Sequence, residues 1–238
     1  MVTDPLAPRA VEMNAAMTSE SCNSWTETGV LSPTVSAVRL AVPGKASGEY
    51  QKGCSAFRDK RYPEAEAHLH KAIEEYPTYV AAWVVLGQMF DAQDKRDDAR
   101  DACARASNID PTYVPPYLCL ADLASTESDW QQVSIMSDRA LALDPNRNPY
   151  SLYYRADADL HLQKFPEAEK HALAAVRVDR GHHLPQLHTL LAQVYKAMGN
   201  VPAQVAQLRE YLKVSPNAPD AAGVKSVLAE LDSKPARP

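Results

Sequence analysis

Residues 80–111 read VAAWVVLGQMFDAQDKRDDARDACARASNIDP. Trp83, Leu86, Gly87 and Phe90 recur three and four apart, which places them on one face of a helix. Ala99, Cys103 and Ala106 resume the same period after a turn, and Pro111 stops it, since proline cannot continue a helix. The stop recurs along the chain. EEYPTY, NIDPTY, ALDPNR, RVDRGH and KVSPNA end five successive helical stretches, with Pro77, Pro111, Pro145, Arg180 and Pro216 at the equivalent place. The intervals between them are 34, 34, 35 and 36 residues. No single pair of helices in such a unit can bury its apolar face alone, so stacking of neighbours must supply the core.

A helix–turn–helix period of about 34 residues closed by Pro is the tetratricopeptide pattern, and the quoted stretch resembles that family. Trp83, Leu86, Gly87 and Phe90 reproduce W-x2-L-G-x2-Y with Phe for Tyr; Ala99, Ala106 and Pro111 follow in place, with Cys103 where the family has Phe. The resemblance covers residues 46–218. The first repeat keeps Gly53, Ala65, Leu69, Ala72 and Pro77, but Glu49 and Lys52 stand where Trp and Leu are expected. The third has Tyr117, Leu120, Ala121, Val133, Ala140 and Pro145, and the fifth Leu191, Ala192, Tyr195, Leu208 and Pro216. In the fourth, Ala168 and Ala175 fit, while Arg155 and Asp159 fall in apolar slots and Arg180 replaces the Pro. The resemblance implies an all-α, right-handed α-solenoid of five repeats: 46–79, 80–113, 114–148, 149–184 and 185–218. Trp83, Trp130 and Phe165 sit on apolar markers and are expected in inter-helix cores.

The flanks read differently. Val224, Val227, Leu228 and Leu231 form one stripe, so residues 219–238 are expected to hold a helix capping the last repeat, then a tail. Residues 1–45 are rich in Ser and Thr and broken by Pro5, Pro8, Pro33 and Pro43. They are expected to be unstructured to residue 33 and extended over 34–45, with a short strand-like alternation at Val38, Leu40 and Val42.

Composition narrows the function. Forty-five per cent apolar residues suffice for a core, whereas 8 Gly argue against a Gly-rich phosphate loop or a turn-rich β fold. A net charge of -5 gives no electrostatic footprint for nucleic acid. No apolar run reaches the roughly 20 residues of a membrane span. The N-terminus has an early Asp4 and no apolar core of a signal peptide, so the chain reads as cytoplasmic; export is the alternative if the true start lies upstream. Cys22, Cys54, Cys103 and Cys119 show no C-x-x-C spacing and read as free thiols, although Cys103 and Cys119 lie on adjacent helices where a disulfide remains open.

Enzyme motifs such as G-x-S-x-G, G-x-G-x-x-G and H-E-x-x-H are absent, so no catalytic residue, cofactor or metal is assigned. His68 and His70 diverge on a helix, and His182, His183 and His188 straddle a helix start. A tetratricopeptide array implies instead a concave groove lined by the first helix of each repeat. By that register the groove is lined by Tyr50, Gln88, Asp91, Asp122, Tyr150, Tyr153, Tyr154, Asp157 and Gln193, with Cys54, Phe57, Val84, Leu118, Ser125, Thr189 and Lys196 between them. Tyrosines beside spaced carboxylates suit a peptide or partner segment of basic and apolar character; the alternative is that the rings only pack on neighbouring helices. The family's carboxylate clamp for acidic chaperone tails is missing, because Tyr50, Cys54, Val85, Pro115 and Cys119 occupy its places. The expected role is a non-catalytic protein–protein interaction scaffold. The alternative is a self-assembling protein, a homo-oligomer or filament built by end-to-end contacts.

Overall fold

The computed structural model describes Cys22 and residues 42–233 apart from 146–147. Eleven helices and no strand run through the described residues. They are α1 (Gly44–Arg58), α2 (Tyr62–Glu75), α3 (Val80–Asp91), α4 (Arg96–Ile109), α5 (Pro115–Thr126), α6 (Trp130–Leu143), α7 (Pro149–His161), α8 (Phe165–Val178), α9 (Gln186–Ala197), α10 (Val201–Val214) and α11 (Ala221–Ser233). Each odd-numbered helix from α1 to α9 packs on the even-numbered helix that follows it. The even-numbered helix then packs on the next first helix, and first helices also touch one another from α1–α3 to α7–α9. The result is an all-α solenoid with first helices in one layer and second helices in the other.

Its core is a chain of clusters, as expected where each unit buries surface only against its neighbours. Tyr50, Leu69, Leu86 and Met89 fill the N-terminal end, Tyr117, Tyr150, Leu187 and Leu191 the middle, and Leu208, Tyr211, Val224 and Leu228 the C-terminal end. Through Val224 and Leu228, with Val227 and Leu231 beside them, α11 covers the last pair. Pro63, Pro166 and Pro202 each open a second helix, where a missing N–H costs nothing. Gly87 marks the tightest approach of α3 to α4. A Cβ there would run into Cys103 Sγ and lie 3.1 Å from the Ala99 carbonyl oxygen.

The turn inside each pair holds one residue in the left-handed region: Lys60 (φ 58°), Asp94 (61°), Ser128 (60°), Gln163 (60°) and Gly199 (72°). From each of these to the stop that follows (Lys60 to Pro77, Asp94 to Pro111, Ser128 to Pro145, Gln163 to Arg180, Gly199 to Pro216) the count is 17 residues every time. All five second helices are likewise 14 residues long. The growth of the period from 34 to 36 therefore comes from the other half of the unit. There α7 has 13 residues where α3 and α5 have 12, and the α8–α9 connection spans 179–185.

Four expectations need correction or restriction. Most of the segment 1–45, including the alternation at Val38 and Leu40, lies outside the described residues. Where it is described, α1 already begins at Gly44, because Pro43 caps it and its carbonyl accepts the Ser47 N–H at 3.0 Å. Trp83, Trp130 and Phe165 are half-buried, not enclosed. Trp83 lies where its Nε1 can donate to the Pro77 carbonyl at 3.1 Å, with the Arg105 guanidinium 5.3 Å from its ring centre. Trp130 stacks on His161 with centroids 3.6 Å apart.

The cysteines are paired, Cys22 with Cys54 and Cys103 with Cys119, at Cα separations of 5.7 and 6.1 Å. The second bridge joins α4 to α5 across a repeat boundary, a proximity that stacking creates and that no local motif announces.

In the fourth repeat, the charged residues in apolar slots form a polar network. Arg155 donates to Ser134 Oγ (2.6 Å), Asp138 (2.7 Å) and Asp159 (3.2 Å), and His171 Nδ1 lies 2.8 Å from the same Asp159 carboxylate. The network links α6, α7 and α8 where the usual repeat uses methyl groups. A buried carboxylate such as Asp159 is tolerated there because it is paired on both sides.

Candidate functional site

On the first helices, the positions between the marker residues are the ones the sequence reading assigned to the groove. The nine lining residues of the sequence reading all lie on first helices: Tyr50 on α1, Gln88 and Asp91 on α3, Asp122 on α5, Tyr150, Tyr153, Tyr154 and Asp157 on α7, and Gln193 on α9. The middle of the strip is tied together directly. Tyr154 Oη donates to Asp122 Oδ1 at 2.6 Å, joining α7 to α5, and the Tyr153 ring meets the Tyr154 ring edge-on at 5.5 Å. Tyr50 lies at the N-terminal end, where its ring stands 5.0 Å from that of Tyr79. Asp91 and Gln193 are half-buried. The set is thus spread over five first helices, and a direct side-chain bond joins its members at the α5–α7 junction.

Burial along this strip is far greater than an open groove would give. Tyr50 is 0% exposed, Tyr150, Tyr153 and Tyr154 each 1%, Gln88 and Asp157 3%, and Asp122 4%. For Tyr154 the neighbouring helix explains part of this, since its hydroxyl is bonded across to α5.

Electrostatics follow from that burial. Desolvation pushes the Asp122 carboxyl up to about 7; the Tyr154 hydrogen bond opposes the rise, and Asp91 adds to it while Arg96 subtracts. Asp122 therefore changes charge near neutrality, a rare property for a carboxylate. Tyr153 and Tyr154 are driven well above the usual phenol range by burial first, then by Asp157 and Asp122 for Tyr153 and by Asp122 for Tyr154, so both remain neutral.

One partner of the strip was missed in the sequence reading. At the end of α7, His161 places Nδ1 2.9 Å from the Asp157 carbonyl oxygen and 3.2 Å from its carboxylate, with Trp130 stacked on the ring. Burial works to lower the His161 pKa, but the Asp157 carboxylate outweighs it and the pKa is raised. Its signal was present in the sequence as an Asp and a His four apart on one helix face. The other histidines act locally. His188 meets Gln207 at 2.8 Å, and the Asp179 carboxylate accepts the His183 and Leu184 backbone N–H groups at 2.9 Å each. Among the described residues, no group of three His, Cys, Asp or Glu could hold a metal ion. No described helix is long and apolar enough to cross a membrane.

Comparison with known proteins agrees with this architecture. The tetratricopeptide-repeat family model matches residues 56–120. No curated protein matches the chain. Among solved structures, the type IV pilus biogenesis factor PilW is similar, at 17% identity and a TM-score of 0.66, over 81% of this chain and 96% of PilW. A thermophilic tetratricopeptide-repeat protein of Thermus thermophilus is similar at 17% identity and a TM-score of 0.62, over 78% of this chain and 98% of its own. YrrB, described as having an unusual peptide-binding site, is similar at 16% identity and a TM-score of 0.56, over 80% of this chain and 98% of YrrB. Identities this low carry the fold and nothing more. The match at residues 56–120, the repeat period and the paired-helix solenoid show that this chain has the tetratricopeptide-repeat fold.

Proposed function

We propose that the protein is a non-catalytic scaffold that holds an extended or helical protein segment along its concave face, with the α5–α7 junction as the main contact. The observation that carries this is the Tyr154–Asp122 bond beside Tyr150, Tyr153 and Asp157. It is a buried cluster of rings and carboxylates that ties α7 to α5. Aromatic rings flanking a carboxylate hold a Lys or Arg by pairing its charge while covering its aliphatic stem. YrrB, which shares the fold, is described as binding a peptide, and that lends the reading support. The self-assembling alternative is less well supported, because α11 covers the C-terminal stacking surface.

The two disulfides favour an oxidising compartment as the place of action, since such bridges persist outside the reducing cytoplasm. The binding role is tested by recovering a partner segment from the source cell and titrating it, as a synthetic peptide, against wild type, Asp157→Asn and Gln88→Ala. A loss of tenfold or more, roughly 1.4 kcal/mol, with unchanged melting supports the groove. Unchanged affinity in both variants refutes it.

A further inference from the structure

We propose that His161 is a proton-operated latch between the third and fourth repeats: protonated, it clamps Trp130 at the start of α6 to Asp157 on α7, and neutral, it loosens that hold. The inference is independent of the groove reading, and either can fail alone.

The place of the ring is what makes it a latch. The chain joins α6 to α7 at one end, through residues 144–148. In the middle of α7, Arg155 grips α6 through Ser134 Oγ (2.6 Å) and Asp138 (2.7 Å), and a guanidinium keeps its charge at any pH the fold meets. At the end remote from the connection, Trp130 is the first residue of α6 and His161 the last of α7. Their rings lie 3.6 Å apart and within 6° of parallel. His161 Nδ1 stands 2.9 Å from the Asp157 carbonyl oxygen and 3.2 Å from its carboxylate. The boundary thus has a permanent clasp in the middle and a titratable one at its free end.

Protonation strengthens every contact of that ring. An imidazolium is drawn to the indole face, which a neutral imidazole is not. Its Nδ1–H bond to Asp157 becomes charge-assisted. The last turn of a helix also favours a cation, because the macrodipole leaves that end negative. The His161 side chain is 38% exposed, so solvent protons reach it.

Other charges leave the ring to Asp157. On the elements packed against α7, Asp122 of α5 accepts from Tyr154, and Glu127 after α5 pairs with Arg100. Asp129 ahead of α6 accepts the Gln132 N–H, while Asp138 and His171 belong to the Arg155–Asp159 network. Glu169 of α8 accepts from Tyr195, and His188 of α9 meets Gln207. Arg139, Lys164, Glu167, Lys170, Arg177 and Lys196 are exposed. Burial pulls the His161 pKa down and Asp157 outweighs it, so the net shift is upward and supports the same sign. The latch is therefore closed below the ordinary histidine value of 6.5 and opens as pH rises through the raised one.

The test uses the full chain and two readouts. Trp130 emission is the difference between wild type and Trp130→Phe, since Trp25 and Trp83 are common to both. It is expected to fall as pH drops, with a midpoint above 6.5, because a stacked imidazolium quenches an indole; in His161→Gln the step is expected to vanish. Amide hydrogen exchange over 127–135 and 157–165 is then compared between wild type and His161→Gln at the same pH, so that intrinsic rates cancel. At about pH 5 the variant is expected to exchange about fivefold faster, and at about pH 9 the two are expected to match. Circular dichroism establishes that His161→Gln folds; if it does not, the wild-type step assigned through the conservative Trp130→Phe carries the test. No step in Trp130 emission, a step that survives in His161→Gln, or an exchange difference equal at both pH values would overturn the proposal.

Discussion

Replacing Asp122 with Asn should change how stability depends on pH, and the structure gives both sign and size. In the folded chain the Asp122 carboxyl is pushed up to about 7 by burial, against an ordinary value of 3.8. Between those values the native state holds a proton that the unfolded state has released. Stability at this site is therefore fully present below about pH 4, declines as pH rises toward 7, and levels off above it. Three pH units at about 1.4 kcal/mol each make the total decline about 4 kcal/mol. Asn keeps an oxygen to accept the Tyr154 hydroxyl, now at 2.6 Å, and cannot titrate. Any fixed cost of its extra N–H groups is the same at every pH. The raised His161 pKa contributes equally to both proteins and cancels. Urea melts of wild type and variant at pH 4.5, 6 and 8 should show the difference in unfolding free energy moving in favour of the variant by several kcal/mol. A difference that stays constant across that range would refute a desolvated Asp122.

The remaining predictions are briefer. Asp157→Asn should lower the His161 pKa, because the carboxylate is what raises it against the pull of burial; imidazole NMR titration reads this directly. In wild type this site adds stability below the ordinary histidine value of 6.5 and loses it as pH rises through the raised one. Gln163 holds a left-handed conformation that costs an ordinary residue about 1–2 kcal/mol, so Gln163→Gly should raise stability by about 0.5–1 kcal/mol after the glycine's own entropy is deducted, and Gln163→Val should lower it, by thermal melting. Removing the Cys103–Cys119 bridge with Cys103→Ser and Cys119→Ser together should cost about 3 kcal/mol, the value for closing a loop of this length. Urea midpoints of oxidised wild type and the double variant decide that.

The sequence made the period legible because its punctuation is chemical. Pro77, Pro111, Pro145 and Pro216 end helices by steric necessity, and Gly87 allows an approach that a side chain would block. Two residues that the register placed on adjoining first helices, Asp122 and Tyr154, do meet. What escaped was everything set by distance in space. Cys103 and Cys119 stand 16 residues apart with no shared motif, and only stacking of α5 on α4 brings their Cα atoms to 6.1 Å. Arg155 and Asp159 looked like defects in a repeat, because the partners that justify them, Asp138 and His171, come from two other helices. The left-handed turns were hidden too: Lys60, Asp94, Ser128 and Gln163 give no glycine to mark them.

The constant 17-residue span from left-handed turn to stop has a consequence for how such a chain can change. Adding a residue inside a turn such as 59–61 or 162–164 would rotate the second helix by about 100° and swing its buried alanines outward. Adding residues to the connections 110–114 or 179–185 leaves both packed stripes in phase. Those connections all run from a second helix to the next first helix, so they lie along a single edge of the solenoid. The protein therefore has one edge closed to insertion and one open to it. Peptide loops grafted between Arg180 and Pro185 would extend the wall beside the concave face, where new recognition chemistry can be added without rewriting the core.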